Sequence, residues 1–123
     1  MTAPTPLLRV VVLVSGRGSN LRAIAARAAA GELAVRIEAV VSDRADAGAL
    51  EWARARGIVT SVLSPRDFAD REAYGRALGD IVESHAPQLV VLAGFMRILS
   101  DEFVLRFSGR MLNIHPSLLP RYA

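Results

Sequence analysis

Apolar runs of strand length alternate along this chain with stretches whose apolar residues recur at helical spacing. Residues 8–15 form a continuous, β-branched-rich run, the pattern of a parallel strand covered on both faces. A turn at 16–18 follows, then a predicted helix over 19–30 with Leu21, Ile24, Ala25 and Ala28 on one side and Gly31 at its end. The same alternation predicts strands at 37–42, 58–63, 89–93 and 110–115, and helices at 47–56, from Asp70 to Pro87, and at 100–107. Tyr74, Ala77, Leu78, Ile81 and Val82 trace a buried stripe on the third helix. Its surface pairs Glu72 with Arg76 at i, i+4, and Asp70 caps it. His85 lies where it would favour the negative end of that helix. Regular strand–helix alternation with short loops predicts an α/β fold: a parallel, Rossmann-like sheet with helices on both faces.

In such a sheet, ligands bind beyond the carboxyl ends of the strands. Three notable segments fall there: 16–20, 94–99 and 113–120. Ser15-Gly16-Arg17-Gly18-Ser19-Asn20 opens the first helix, where glycines let backbone N–H groups approach an anion and the helix terminus adds positive charge. A dinucleotide fingerprint would need glycine at position 21, which is Leu, and the Gly-Lys-Ser/Thr of a P-loop is absent. A single phosphate fits better than a dinucleotide; a plain tight turn with Ser19 as the helix cap is the alternative. Gly94-Phe95-Met96-Arg97-Ile98-Leu99 sets one cation among large apolar residues, suiting a flat, partly polar ligand. Its alternative is a loop that plugs the core and leaves Arg97 in solvent.

Asn113 and His115, one residue apart on a strand, share a face, and Pro116 stops the strand just beyond them. An amide donor beside an imidazole suits carbonyl chemistry, one group stabilising an oxyanion while the other moves a proton.

Composition narrows the picture. At 123 residues, 52% hydrophobic and 22% charged, the chain fits one globular domain. Its net charge of +3 comes entirely from scattered Arg, with no basic stripe, so nucleic-acid binding has weak support. The apolar run near the N-terminus is too short to span a bilayer, and no membrane partner is expected. The absence of Cys fits a reducing, cytoplasmic setting. The two His residues lie at no metal-ligand spacing, so no metal is expected.

Five segments together resemble the phosphoribosylglycinamide formyltransferase family of folate-dependent enzymes. They are Val-Ser-Gly-Arg-Gly-Ser-Asn-Leu at 14–21, Val-Ser-Asp-Arg-Ala-Asp-Ala at 41–47, Arg-Glu-Ala-Tyr at 71–74, Leu-Ala-Gly-Phe-Met-Arg-Ile-Leu-Ser at 92–100 and Leu-Asn-Ile-His-Pro-Ser-Leu-Leu-Pro at 112–120. The resemblance implies the formyltransferase fold and transfer of a formyl group from 10-formyltetrahydrofolate, a co-substrate, to the amine of glycinamide ribonucleotide in purine (IMP) synthesis. It implies that Gly18, Ser19 and Asn20 hold the substrate phosphate. Arg71, Met96, Arg97, Ile98 and Leu99 would hold the folate, Asn113 would meet the formyl group, and His115 would be the proton donor. Both partners would be small molecules; a homo-oligomer stays open. The family supplies an Asp well downstream of the His and continues far beyond position 123. The chain therefore reads as an N-terminal portion, a single domain over 1–123 cut short at its C-terminal end. The alternatives are another 10-formyltetrahydrofolate enzyme (a deformylase or methionyl-tRNA formyltransferase) and an inactive sugar-phosphate-binding fragment.

Overall fold

The computed structural model of the protein describes residues 6–114. Five strands, β1 (Leu8–Val14), β2 (Val35–Ser42), β3 (Val59–Val62), β4 (Leu89–Ala93) and β5 (Met111–Ile114), pair in the order β3-β2-β1-β4-β5. Every pairing is parallel. Four helices connect them: α1 (Ser19–Ala29), α2 (Gly48–Ala55), α3 (Arg71–Ser84) and α4 (Asp101–Arg106). The order reverses between β1 and β4, which opens a crevice at their carboxyl ends.

The sheet is central because its inner strands are apolar on both sides. Val10, Val12 and Val14 of β1 join Leu21 and Ile24 of α1 and Ala49, Leu50 and Ala53 of α2 in one core. Val11 and Leu13, pointing the opposite way, join Tyr74, Leu78 and Val82 of α3, Phe103 of α4 and its C-cap Phe107. Phe103 and Phe107, both essentially inaccessible, contribute the largest apolar surfaces to that second core. Burying each stabilises the fold by about 2–3 kcal/mol.

Local rules account for the helix starts. Asp70 accepts a hydrogen bond from the Ala73 N–H at 2.8 Å, and Ser100 accepts one from the Phe103 N–H at 3.2 Å. Helix α3 stops at Ser84; His85 caps it, and Ala86 turns the chain at φ 47° before Pro87.

Several expectations are corrected. Strand β2 begins at Val35, because Val35 and Arg36 pair with Leu8 and Arg9. Ala47 and Arg56 cap α2 rather than belong to it. A 3₁₀ turn at Pro65–Asp67, started by Pro65 at its first position, precedes α3. Arg76 pairs with Glu102 across the α3–α4 contact at 3.5 Å instead of with Glu72. The packing of α4 against α3 offers Arg76 a carboxylate from a neighbouring element, and such a pair wins over a solvated i, i+4 partner. His115 and the residues after it lie outside the described residues.

Candidate active site

The loop after β1 is built by one glycine. Gly18 is the N-cap of α1 at φ 83°, a left-handed conformation, and a Cβ there would sit 2.6 Å from the Ala49 side chain. The first turn of α2 thus packs directly on this loop, and the Ala49 N–H donates to the Gly16 carbonyl at 3.1 Å. The first helical bond of α1 runs from the Arg22 N–H to Gly18. The N–H groups of Ser19 and Asn20 precede it, as an anion-holding helix terminus requires. Ser19 does not cap the helix, which overturns the plain-turn alternative in its stated form. Its exposed hydroxyl stays at the mouth of the crevice. Asn20 is buried, and its side-chain amide donates to the Ile114 carbonyl at 3.4 Å. That contact brings the end of β5 against the start of α1.

The loop after β4 closes the other side. Gly94 turns it at φ 76°. The Met96 N–H donates to the buried Ser15 hydroxyl at 2.8 Å, and the next residue, Arg97, pairs through Nε with Asp43 at 2.6 Å. Arg97 is therefore tethered rather than simply solvated, against the alternative weighed from sequence. Met96 and Ile98, 80% and 76% exposed, present apolar surface outward, whereas Leu99 turns in against the second core.

Between these loops lies a crevice of about 480 Å³, lined by Ser15 to Asn20, Asp43, Arg44, Ala93, Gly94, Met96 and Arg97. A second hollow of about 600 Å³ continues from it over the ends of β2 and β3, sharing Asp43, Arg44 and Arg97. Arginine outnumbers acid in the first crevice, three to one. Arg44 is held charged by its hydrogen bond and attraction to Asp46, which in turn keeps the Asp46 carboxyl below its ordinary range. Deeper in, burial first and the negative Asp43 second push the Tyr74 phenol up to about 12. Its hydroxyl donates to the Leu63 carbonyl at 2.8 Å.

Of the residues singled out from sequence, Gly18, Ser19, Asn20, Met96 and Arg97 meet in this crevice. Asn113 of β5 pairs with Leu92 of β4, one residue before the carbonyl that Asn20 holds. Arg71, exposed at the first position of α3, does not line the crevice, and neither do Ile98 and Leu99. Ser15 and Asp43 were missed. Asp43 follows β2 directly and is buried, but its partner lies 54 residues away, beyond any local rule. Among the described residues, no group of three or more His, Cys, Asp or Glu could hold a metal ion, and no helix is long and apolar enough to cross a membrane.

A parallel sheet with an anion-suited helix terminus at its switch point and a cationic loop opposite defines an α/β small-molecule site. More specifically, this chain belongs to the formyl transferase family, whose pattern matches residues 8–123. It is 51% identical over 115 residues to phosphoribosylglycinamide formyltransferase of Escherichia coli (strain K12), covering 94% of this chain and 54% of that protein. Its fold is similar to that of the phosphoribosylglycinamide formyltransferase of Coxiella burnetii, with a TM-score of 0.85 and 46% identity over 94% of this chain and 55% of that one. A formyltetrahydrofolate deformylase from Pseudomonas putida KT2440 is also similar, with a TM-score of 0.78 and 31% identity over 93% of this chain and 40% of that one. The chain spans about half the length of curated bacterial phosphoribosylglycinamide formyltransferases that it matches.

Proposed function

We propose that this chain is the substrate-phosphate half of an enzyme that moves a formyl group from 10-formyltetrahydrofolate to the amine of 5-phosphoribosylglycinamide, a step of purine biosynthesis. The observation that carries the reading is the meeting of the 16–20 and 94–97 loops in one crevice at the switch point, in a chain half identical to an enzyme of that name. In this reading residues 1–123 belong to a single domain, the enzyme is cytoplasmic, and its partners are the two small molecules.

The N–H groups of Gly18, Ser19 and Asn20, with the Ser19 hydroxyl, hold the phosphate. Met96, Arg97, Ile98 and Leu99 hold the folate, its ring edge against loop backbone and its negative charge toward Arg97; Arg71 meets the folate from the start of α3. The substrate amine attacks the formyl carbon, forming a C–N bond and pushing the carbonyl electron pair onto oxygen. The Asn113 amide and a protonated His115 stabilise that oxyanion. Collapse re-forms the carbonyl and breaks the bond to the folate nitrogen. That nitrogen leaves with a proton supplied by His115, and the imidazole recovers one from the attacking amine, directly or through water.

Formylation of the ribonucleotide by 10-formyltetrahydrofolate, assayed beside water and charged tRNA as acceptors, tests the reading. The ribonucleotide is the expected acceptor, and the phosphate-suited 16–20 loop is what favours it over the deformylase alternative. Loss of formyl transfer by at least a hundredfold is expected in His115→Ala, the lower end of what general acid–base catalysis contributes (~10²–10⁴-fold). Full activity in that variant would refute the assignment of the proton donor.

A further inference from the structure

The carboxyl ends of two adjacent strands grip two consecutive residues of the 94–99 loop. Ser15, after β1, takes the Met96 backbone N–H at 2.8 Å, and Asp43, after β2, takes the Arg97 Nε–H at 2.6 Å. Asp43 is only 3% exposed, whereas Arg97 is about half exposed. The second carboxylate oxygen of Asp43, Oδ1, is buried without a hydrogen-bond partner among the described residues. The bond to Arg97 is therefore what compensates a carboxylate that burial would otherwise penalise heavily. A single Nε contact uses one edge of the guanidinium. The terminal amino groups remain at the crevice wall that Arg97 lines, free to meet an anion end-on.

We propose that Asp43 is a positioning residue of this site: it fixes the Arg97 guanidinium at the crevice wall, so that the anionic part of the folate meets a preorganised cation. The inference rests on the reading of the 94–99 loop as the folate side of the site. A long arginine otherwise gives up rotamer freedom on binding, and a bond formed in advance removes that cost from the binding step. Asp43, 3% exposed, acts in this proposal through Arg97.

Two measurements on the 123-residue protein test it. In the first, the Nε–H resonance of Arg97, assigned by its loss in Arg97→Lys, is expected to be shifted and slow to exchange. Asp43→Ala should return it to the position and exchange rate of a free arginine. In the second, calorimetry with tetrahydrofolate and with ribose 5-phosphate is run on Asp43→Ala, Arg97→Ala and the double variant. Asp43→Ala is expected to weaken tetrahydrofolate about tenfold, the upper end of what ordering one rotamer-rich side chain costs on binding. Ribose 5-phosphate should bind within about twofold of the parent, a change too small to reflect a lost contact. The double variant should be no weaker than Arg97→Ala alone, because Asp43 has nothing left to position.

Unchanged tetrahydrofolate affinity in Asp43→Ala beside a loss in Arg97→Ala overturns the positioning role. Additive losses in the double variant overturn it too. Unchanged affinity in Arg97→Ala instead overturns the folate reading of the loop, and the role of Asp43 falls with it. Should Asp43→Ala fail to fold, Asp43→Asn keeps an acceptor oxygen in the same place. It is expected to retain the shifted resonance and to bind tetrahydrofolate within about threefold of the parent, a change below one lost hydrogen bond. A tenfold loss with the resonance intact would refute the proposal.

Discussion

Replacing Gly18 by alanine tests why the 16–20 loop has its shape. Two separable penalties arise. A residue with a Cβ at φ 83° sits in the left-handed region, which costs about 1–2 kcal/mol. The new methyl would also lie 2.6 Å from the Ala49 side chain, about 1 Å inside ordinary carbon–carbon contact, and overpacking of this kind costs about 1–3 kcal/mol. Together they predict a loss of about 2–5 kcal/mol, a large fraction of the stability of an ordinary domain. Urea unfolding followed by the fluorescence of Trp52 reads the loss directly. The decomposition is tested by repeating Gly18→Ala in an Ala49→Gly background. Removing the Ala49 methyl should relieve most of the steric part, leaving the left-handed penalty and a 3.2 Å approach to the Ala49 Cα, a coupling of at least about 1 kcal/mol between positions 18 and 49. Ribose 5-phosphate affinity should recover in parallel, since the loop regains its path. A Gly18→Ala cost below about 1 kcal/mol, or one equally large in both backgrounds, would show that the close approach of α2 does not set the loop.

Tyr74→Phe removes the hydrogen bond to Leu63 and should cost about 1 kcal/mol at neutral pH. The parent phenol is pushed up to about 12, so the folded state holds its proton where the unfolded chain has lost it. Its contribution is complete below the unfolded value near 10 and disappears as pH rises from 10 to 12. Unfolding curves across that window should therefore fall more steeply for the parent than for Tyr74→Phe, and parallel curves would refute the burial of the hydroxyl. Gly75→Ala places a methyl against the Ser100 hydroxyl, the N-cap of α4, and should cost about 1–3 kcal/mol in the same urea assay. Ser15→Ala deletes the acceptor for the Met96 N–H and should weaken tetrahydrofolate binding severalfold in calorimetry while leaving ribose 5-phosphate unaffected.

What could be read from the residues depended on how far apart the partners lie in the chain. Alternating apolar periodicity carries the elements, because each inner strand buries two faces and each helix one, and those demands are local. Caps are equally local, so Asp70 and Ser100 stand where the sequence puts them. Glycine at position 18 was legible as a tight turn, but its packing against Ala49 was not, since α2 has to fold back across β2 to reach it. Charge pairing failed as a local rule for the same reason: Arg76 turns from Glu72 to Glu102 once α3 and α4 pack. Asp43 shows the cost of that blindness most clearly. Read locally it is one polar residue in a turn. In the folded chain it is a buried carboxylate whose only partner among the described residues is the cation of the 94–99 loop. A buried charge is tolerated when something else in the molecule needs it, and a three-dimensional contact is what reveals the need. Sequence thus located the loops of this site, while the groups that hold those loops in place became visible only when strands 1, 2 and 4 stood side by side.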